Sequence, residues 1–293
     1  MALPLLLELV KKSADYLATH GIANARRESE WIFAESLGLT RMDLYTRFDM
    51  PLDEVDVARL RALITRRGKR EPLAYVLGNL EFHGLRLSVG PGVLVPRPET
   101  EELVDHLLKE LPVAPARVLD IGTGSGAIAL AIKSARPDCT VEAGERSEAA
   151  LAIARANAQT LGCDVRFHLG DLAFALSGPY DAIAANLPYV GESERGACDP
   201  ELAFEPAEAL FAGDAGLDQI ARLVPDLARL LAPAGVAWLE HGWQQGAGVR
   251  ALCASAGLAC TTIADGAAKE RFARVARCAR EAPGDPLAQP VTP

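Results

Sequence analysis

The 293-residue chain lacks the residue patterns that mark metal-binding, membrane and exported proteins. Its six cysteines contain no CxxC pair and its five histidines are scattered, so no zinc-ligand spacing is present and we expect no metal site. No apolar run approaches the roughly 18–20 residues that span a bilayer. The apolar start also lacks the basic region and small-residue cleavage site of a signal peptide. These absences predict a cytoplasmic protein with free thiols and no membrane partner.

Positive charge and aromatic side chains are also scarce. The net charge is −9 and aromatic residues make up 5%, whereas a nucleic-acid-binding face needs basic surface and aromatic platforms. We therefore expect no direct nucleic-acid partner, and nothing in the sequence demands more than a monomer. One exception is a basic segment with arginine or lysine at positions 59, 61, 66, 67, 69 and 70. We interpret it as a solvated helix face, with a docking patch for RNA or an acidic partner as the alternative.

The first 78 residues have helical periodicity and no convincing strand pattern. Apolar spacing predicts helices over 5–18, 25–37 and 53–67, with a short helix capped by Thr40 between the last two. Residues 82–89 show the first strand-like alternation, and prolines on both sides of Arg97 stiffen the chain after it. We therefore predict a helical bundle over 1–78, then a hairpin and linker over 79–98. A second domain covers 99–280, and a flexible tail rich in Pro and Gly covers 281–293.

Helix and strand patterns alternate through the second domain. Helices are predicted over 99–110, 126–135, 147–161, 216–231 and 246–257. Strands are predicted over 117–121, 140–145, 165–169, 181–186, 235–240, 259–264 and 271–277. This alternation is typical of an α/β fold with a mostly parallel sheet and helices on both faces.

A buried strand runs into a glycine-rich turn and then a helix at residues 118–130, Val-Leu-Asp-Ile-Gly-Thr-Gly-Ser-Gly-Ala-Ile-Ala-Leu. Glycine permits positive φ and close approach of a ligand to the backbone, and the helix N-terminus offers free N–H groups. The GxGxG spacing, with an acid two residues before it, differs from the GxGxxG of dinucleotide sites. It favours S-adenosylmethionine as the cofactor, bound by Asp120, Gly122, Thr123, Gly124, Ser125 and Gly126.

Acids after the next two strands suit the rest of such a cofactor. Glu145 ends the second strand, about 20 residues after the glycines, where a carboxylate can accept both ribose hydroxyls. Asp171 and Leu172 follow the third strand, where Asp171 can accept from an adenine amino group and Leu172 can pack on the ring. A helix N-cap is the alternative role for Asp171.

The sequence Asn-Leu-Pro-Tyr follows the fourth strand. An amide or aromatic amine nitrogen is a poor nucleophile because its lone pair is delocalised, so an enzyme must orient it. The Asn186 side-chain oxygen and the Leu187 carbonyl can accept its two N–H bonds, Pro188 stiffens the turn, and Tyr189 can pack on the planar group. We predict these four as catalytic residues, with Asn186 also against the cofactor. A plain Asn-Pro turn is the structural alternative.

The order of these motifs resembles the protein-(glutamine-N5) methyltransferases of peptide chain release factors, the PrmC/HemK family, over nearly the whole chain. The resemblance rests on the cofactor loop and on Pro-Leu-Ala-Tyr-Val-Leu-Gly at 72–78, Glu-Phe-His-Gly at 81–84 and Val-Pro-Arg-Pro-Glu-Thr-Glu at 95–101. It also includes 204–210, 216–217 and Glu-His-Gly-Trp-Gln-Gln-Gly at 240–246. Two positions depart from the family: Leu187 replaces the first proline of Asn-Pro-Pro-Tyr, and Glu145 replaces the ribose-binding aspartate.

The resemblance implies a class I S-adenosylmethionine-dependent methyltransferase, with a Rossmann-like seven-stranded sheet and an N-terminal helical domain that recognises the release factor. The implied substrate is the glutamine of the Gly-Gly-Gln loop. Three alternatives stay open: a glutamine methyltransferase of a ribosomal protein, an rRNA or DNA adenine methyltransferase, and a paralogue that binds translation factors without catalysis. The rRNA adenine dimethylases share the form Asn-Leu-Pro-Tyr, whereas the acidic, aromatic-poor composition disfavours a nucleic-acid substrate.

Overall fold

The computed structural model describes residues 3–174 and 176–278 of the chain, and the predicted tail over 281–293 lies outside them. The described part begins with helices, continues through a short hairpin and ends in an α/β sheet. No helix in these ranges is long and apolar enough to cross a membrane.

The helical part contains α1 (Leu6–Thr19), α2 (Ala25–Leu37), α3 (Asp43–Thr46), α4 (Glu54–Gly68) and α5 (Leu73–Leu77). Its core forms where the apolar stripes of these helices meet, with Leu6, Leu17 and Phe33 almost completely buried. The Asp53 side chain accepts from the Asp56 N–H and so caps α4. The predicted helices are confirmed, but α5 is an additional helix.

The strand-like run over 82–89 contains the end of one strand, a turn and a second strand, within the segment predicted as hairpin and linker. Strands β1 (Asn79–Phe82) and β2 (Leu85–Ser88) pair antiparallel. Between them His83 has φ +48° and Gly84 has φ +74°, which reverses the chain. The apolar alternation continues across the turn because Phe82 and Leu87 both pack into the core of the second part. The alternation alone therefore does not show where the turn lies.

The second part is a seven-stranded sheet with flanking helices. Its elements are α6 (Pro98–Glu110), β3 (Arg117–Ile121), α7 (Ala127–Ala135), β4 (Thr140–Glu145), α8 (Glu148–Leu161), β5 (Val165–Leu169), β6 (Tyr180–Asn186), α9 (Asp218–Leu230), β7 (Leu231–Glu240), α10 (Gly246–Ser255), β8 (Leu258–Ala264) and β9 (Glu270–Arg277). The strand order is β5-β4-β3-β6-β7-β9-β8, and only β9 runs antiparallel to its neighbours. The predicted fold class is confirmed.

Alternate residues of the central strands supply two core layers. On β3, Val118 belongs to the layer beneath α6, α7 and α8, while Leu119 belongs to the layer beneath α9 and α10. A strand buried on both faces therefore reads as a continuous apolar run. The strand order reverses between β3 and β6, which opens a crevice at their carboxyl ends, the usual ligand site of such sheets.

The basic segment joins the two parts of the chain. Arg67 is buried and donates to Glu28, and it shares Glu201 of the second part with Arg70 at 3.0 and 2.7 Å. The expected solvated face is therefore wrong for Arg67, which is buried and lies in a partly buried ion-pair network. Its partners lie far away in the sequence, so charge spacing alone does not reveal them.

Candidate active site

A cleft with about 960 Å³ of empty space, part of it open to solvent, lies at the carboxyl ends of β3, β4 and β6. Ten predicted site residues line it: Gly122, Thr123, Gly124, Ser125, Glu145, Asp171, Leu172, Asn186, Leu187 and Pro188. Three others, Asp120, Gly126 and Tyr189, are not among the lining residues. Residues of the linker over 92–96 and of the segment over 206–209 also line the cleft.

The glycine loop is shaped from below by Asp120. This side chain is fully buried at the end of β3 and accepts from the Thr123 hydroxyl (2.6 Å) and the Ala129 N–H (3.2 Å). Burial raises the pKa of Asp120 to about 7, because a charged carboxylate loses its hydration there. Asp120 therefore holds the loop in place and does not face the cleft.

Gly122 brings the two main motifs into contact. Its φ of +77° favours glycine, and a Cβ on it would lie 2.9 Å from Leu187 Cδ2. The Gly122 and Thr123 N–H groups both donate to the Gly144 carbonyl, at 2.9 and 3.1 Å. The loop thus packs against the Asn-Leu-Pro-Tyr turn on one side and β4 on the other.

Glu145 lies at the cleft wall with its carboxylate already oriented. One oxygen accepts from the Gly124 N–H (2.9 Å) and the other from the Ser147 N–H (2.8 Å). Each oxygen keeps a lone pair for a further donor. The longer side chain at this position is therefore compatible with a ligand that offers two hydroxyl groups.

Asp171 and Leu172 border the cleft beyond β5. Asp171 forms an ion pair with Arg222 of α9, and Leu172 has φ +50°. The chain here forms a turn, so Asp171 caps no helix. Its carboxylate is half-exposed and already has a partner, which a ligand amino group would have to share.

The Asn186 side chain is oriented by a hydrogen-bonded chain of three groups. Its Nδ2 donates to Thr100 Oγ1 (3.0 Å), and Thr100 Oγ1 donates to Glu240 Oε2 (2.8 Å). The Tyr189 hydroxyl donates to the other Glu240 oxygen (3.0 Å). Within the described residues, Asn186 Oδ1 and the Leu187 carbonyl accept no hydrogen bond. Both acceptors are left free beside the cleft.

Burial perturbs the acid and phenol of this network. Glu240 is about 1% exposed, and burial raises its pKa, although the bonds from Thr100 and Tyr189 oppose that shift. Burial and the neighbouring Glu240 raise the pKa of Tyr189, so its hydroxyl stays a donor. Each Glu240 oxygen thus has one hydroxyl donor, and both bonds stabilise the ionised carboxylate against the effect of burial.

Gln245 fixes the backbone of the turn. Its Nε2 donates to the carbonyls of Tyr189 (2.7 Å) and Ala215 (2.9 Å). Thr100, Glu240 and Gln245 were not predicted as site residues, although the first lies in the 95–101 motif and the others in 240–246. For Glu240, the sequence offered one signal of a role in the site: it is an acidic residue at the end of a predicted strand, as Asn186 is a polar residue at the end of another.

The walls of the cleft are tied together across long sequence distances. Glu205, almost fully buried, accepts from the Val95 N–H (2.9 Å) and from Arg97 Nη2 (2.5 Å). Arg146 Nη2 donates to the Glu208 carbonyl (3.1 Å). The linker, the end of β4 and the segment after the Asn-Leu-Pro-Tyr turn thus enclose one site. The described residues contain no cluster of acids, histidines and cysteines that could hold a metal.

Comparison with known families matches two segments of the chain. Residues 8–78 match the PrmC N-terminal domain, and residues 99–210 match the Methyltransferase small domain. These segments correspond to the helical part and to most of the site-bearing half of the sheet.

Curated relatives match over most of their own length. A release factor glutamine methyltransferase of Geobacter sulfurreducens is 41% identical over 85% of this chain and 89% of its own. A protein of that name from Deinococcus radiodurans is 37% identical over 93% and 98%, and one from Escherichia coli is 40% identical over 77% and 82%.

Solved structures share the fold at low identity. The hMettl16 catalytic domain in complex with MAT2A 3'UTR hairpin 6 aligns with TM-score 0.53 and 15% identity, over 77% of this chain and 82% of that one. A methyltransferase from Pyrococcus furiosus aligns with TM-score 0.50 and 20% identity, over 66% and 88%. At this identity the likeness concerns the fold alone.

Proposed function

The chain belongs to the family of release factor glutamine methyltransferases, and from this premise we propose that its substrate is the glutamine in the Gly-Gly-Gln loop of peptide chain release factors. It is an S-adenosylmethionine-dependent methyltransferase of the class I fold. We further propose that it acts in the cytoplasm as a monomer, contacts the release factor partly through residues 1–78, and uses no nucleic acid directly.

The residues of the cleft fit the cofactor. At Gly124, with φ +56°, no atom lies within 4 Å of the place where a Cβ would stand, which leaves room beside the loop. Glu145 keeps one lone pair on each oxygen, which suits the two hydroxyls of a ribose. We assign the adenine to Asp171 and Leu172, with Asp171 sharing its carboxylate between Arg222 and the amino group.

The observation that carries the proposed substrate is the orientation of Asn186. Its NH2 group is taken by Thr100, so its oxygen is left for a donor from the cleft. The Leu187 carbonyl offers a second acceptor one residue later. A primary amide presents two N–H bonds in one plane, and these two acceptors match them.

Catalysis by these groups is mainly positioning. Holding both N–H bonds directs the nitrogen lone pair and favours a near-attack geometry. As positive charge develops on the nitrogen its N–H groups become stronger donors, so both hydrogen bonds strengthen in the transition state. When bound, S-adenosylmethionine would supply the methyl group from its sulfonium sulfur to the amide nitrogen held by Asn186 and Leu187, and that nitrogen would release a proton to water.

Transfer of labelled methyl to a purified release factor tests this proposal. A second sample carries Gly-Gly-Ala in place of Gly-Gly-Gln, and a ribosomal-protein mixture and rRNA are offered separately. We expect label on the first release factor alone. Equal label on both release factors would refute the target glutamine, and label only on ribosomal protein or rRNA would replace the substrate by one of those alternatives.

A further inference from the structure

We propose that Glu240, acting through Thr100, is a positioning residue that fixes the Asn186 amide with its oxygen toward the substrate. The inference rests on the proposed function, since it explains how that site presents two acceptors. Neither Glu240 nor Thr100 needs to touch the reacting nitrogen for this role.

The three residues come from separate elements that the fold brings together. Asn186 ends β6 and Glu240 ends β7, and the two are register partners in the parallel pair. Thr100 lies in the first turn of α6, directly after the proline-flanked linker. Glu240 and Thr100 are 1% and 3% exposed, so solvent cannot replace either partner. An unpaired polar group at this depth would be costly.

The direction of the hydrogen bonds follows from what each group can donate. When Glu240 is ionised its carboxylate can only accept, and its two oxygens accept hydrogen bonds from the Thr100 and Tyr189 hydroxyls. A threonine hydroxyl has one proton, so Thr100 can only accept from Asn186. The two ends of an asparagine amide have nearly the same shape, and their partners decide which end points where. Asn186 must therefore turn its NH2 inward and its oxygen to the cleft.

This chain also has an electrostatic consequence. Hydrogen bonds in series polarise one another, more so in a low-dielectric interior. The Glu240 carboxylate makes Thr100 a better acceptor, and this draws electron density toward Asn186 Oδ1. A flipped Asn186 would instead point its own N–H groups at the substrate N–H groups. The Glu240 carboxylate thus favours a substrate group that donates hydrogen bonds, and it makes Asn186 Oδ1 a stronger acceptor for that group.

Three substitutions test the role. Thr100→Val keeps the shape and removes the hydroxyl, Thr100→Ser keeps the hydroxyl, and Glu240→Gln places an amide NH2 where only an acceptor stood. We expect Thr100→Val and Glu240→Gln to lower kcat by about 10- to 100-fold with little change in cofactor affinity. Thr100→Ser should keep most of the wild-type kcat, because it keeps the hydroxyl. The double variant Thr100→Val/Glu240→Gln falls about as far as the worse single one, because the two act as one unit.

A matched control and a substrate-free readout complete the experiment. Thr160→Val removes an exposed hydroxyl on α8 that donates to Ala156, far from the chain of bonds, and leaves kcat unchanged. In 15N-labelled protein, the Asn186 side-chain NH2 protons exchange slowly with water in the wild type and Thr100→Ser, and fast in Thr100→Val and Glu240→Gln. This measurement needs no methyl acceptor, so it tests the positioning even if the proposed substrate is wrong.

Either of two results would overturn the inference. One is unchanged exchange of the Asn186 NH2 in Thr100→Val together with wild-type kcat. The other is a loss of kcat that only follows loss of cofactor binding and of folded protein, which would give Glu240 and Thr100 a structural role. Failure of the wild type to label any release factor, with the exchange pattern as expected, would instead refute the proposed function alone.

Discussion

Replacing Asn186 with alanine removes one of the two acceptors proposed to hold the substrate amide. The substitution deletes the free Oδ1 and the Nδ2 that donates to Thr100 at 3.0 Å. It leaves the Leu187 carbonyl and the glycine loop in place. We expect methyl transfer to be almost abolished and cofactor binding to persist.

The magnitude follows from the contacts that are lost. Removing one preorganised hydrogen-bonding group that acts mainly in the transition state costs about 100- to 1,000-fold in kcat, or about 2.7–4 kcal/mol. The single bond to Thr100 contributes only about 1 kcal/mol to folding, so the protein stays folded. Asn186 donates to Thr100 and not to the loop, so the cofactor Kd should change by less than about threefold.

Single-turnover transfer of labelled methyl to a release factor measures the chemical step, and calorimetry with S-adenosylmethionine measures the Kd. Asn79→Ala is the matched control, because it removes the same atoms from β1, where Nδ2 contacts Glu35 and the Leu77 carbonyl. Equal rates for Asn186→Ala and Asn79→Ala would refute the substrate site. If Asn186→Ala loses activity only because it binds S-adenosylmethionine more weakly, Asn186 acts in cofactor binding and not in holding the substrate amide.

Three further predictions concern stability and the turn. Because burial raises the Asp120 pKa to about 7 from an ordinary 3.8, the folded state holds a proton that the unfolded state has lost between these values. The free energy of unfolding of the wild type should therefore fall relative to that of Asp120→Asn as pH rises from about 4 to about 7, by up to about 4 kcal/mol, and should not change further above pH 7. Urea unfolding of both proteins across this range measures the difference, and a difference that does not vary with pH would contradict the prediction. Gly216→Ala would put a Cβ 2.0 Å from the Tyr189 carbonyl oxygen, so methyl transfer should fail. The control Gly257→Ala has the same φ of +70° with no atom within 4 Å of the added Cβ, so it should cost only the backbone strain. Equal kcat values and equal thermal midpoints for the two variants would contradict this prediction. Leu187→Pro keeps the backbone carbonyl acceptor and should leave kcat the same or higher. The leucine side chain is only 5% exposed, so the loss of its packing should lower the thermal midpoint. A large loss of kcat would mean that Leu187 is fitted to another substrate.

β3 and β4 were predictable because both strands are buried on both faces, and the edge strand β5 because its residues alternate between apolar and polar. All three begin and end at the predicted residues, and each is followed by a polar or glycine residue. Local composition decides these boundaries, because the buried strand and its turn are adjacent in the chain. The same holds for Asp53, whose cap on α4 needs only the three residues that follow it.

The parts of the site that depend on distant partners were not predictable in this way. Thr100 and Glu240 are joined by a 2.8 Å hydrogen bond but lie 140 residues apart. The sequence shows an acid at the end of a strand, and only the packing makes it a buried acceptor. Arg67 is a similar case, because a helical arginine is usually solvated unless a fold supplies acids such as Glu28 and Glu201.

Asp120 shows a third kind of difference. Its position two residues before the glycines predicts a role at the cofactor, and the structure places it beneath the loop, bonded to Thr123 and Ala129. Spacing alone cannot separate a side chain that faces a ligand from one that shapes the loop around it. Burial separates them, and burial depends on the neighbouring strands.

A structure of the protein with S-adenosylhomocysteine and a Gly-Gly-Gln peptide would test the proposed site most directly. We expect the glutamine amide nitrogen within about 3 Å of both Asn186 Oδ1 and the Leu187 carbonyl oxygen, with the Asn186 Nδ2 still on Thr100. A glutamine amide bound elsewhere, or an Asn186 turned so that its NH2 faces the peptide, would contradict the proposed arrangement.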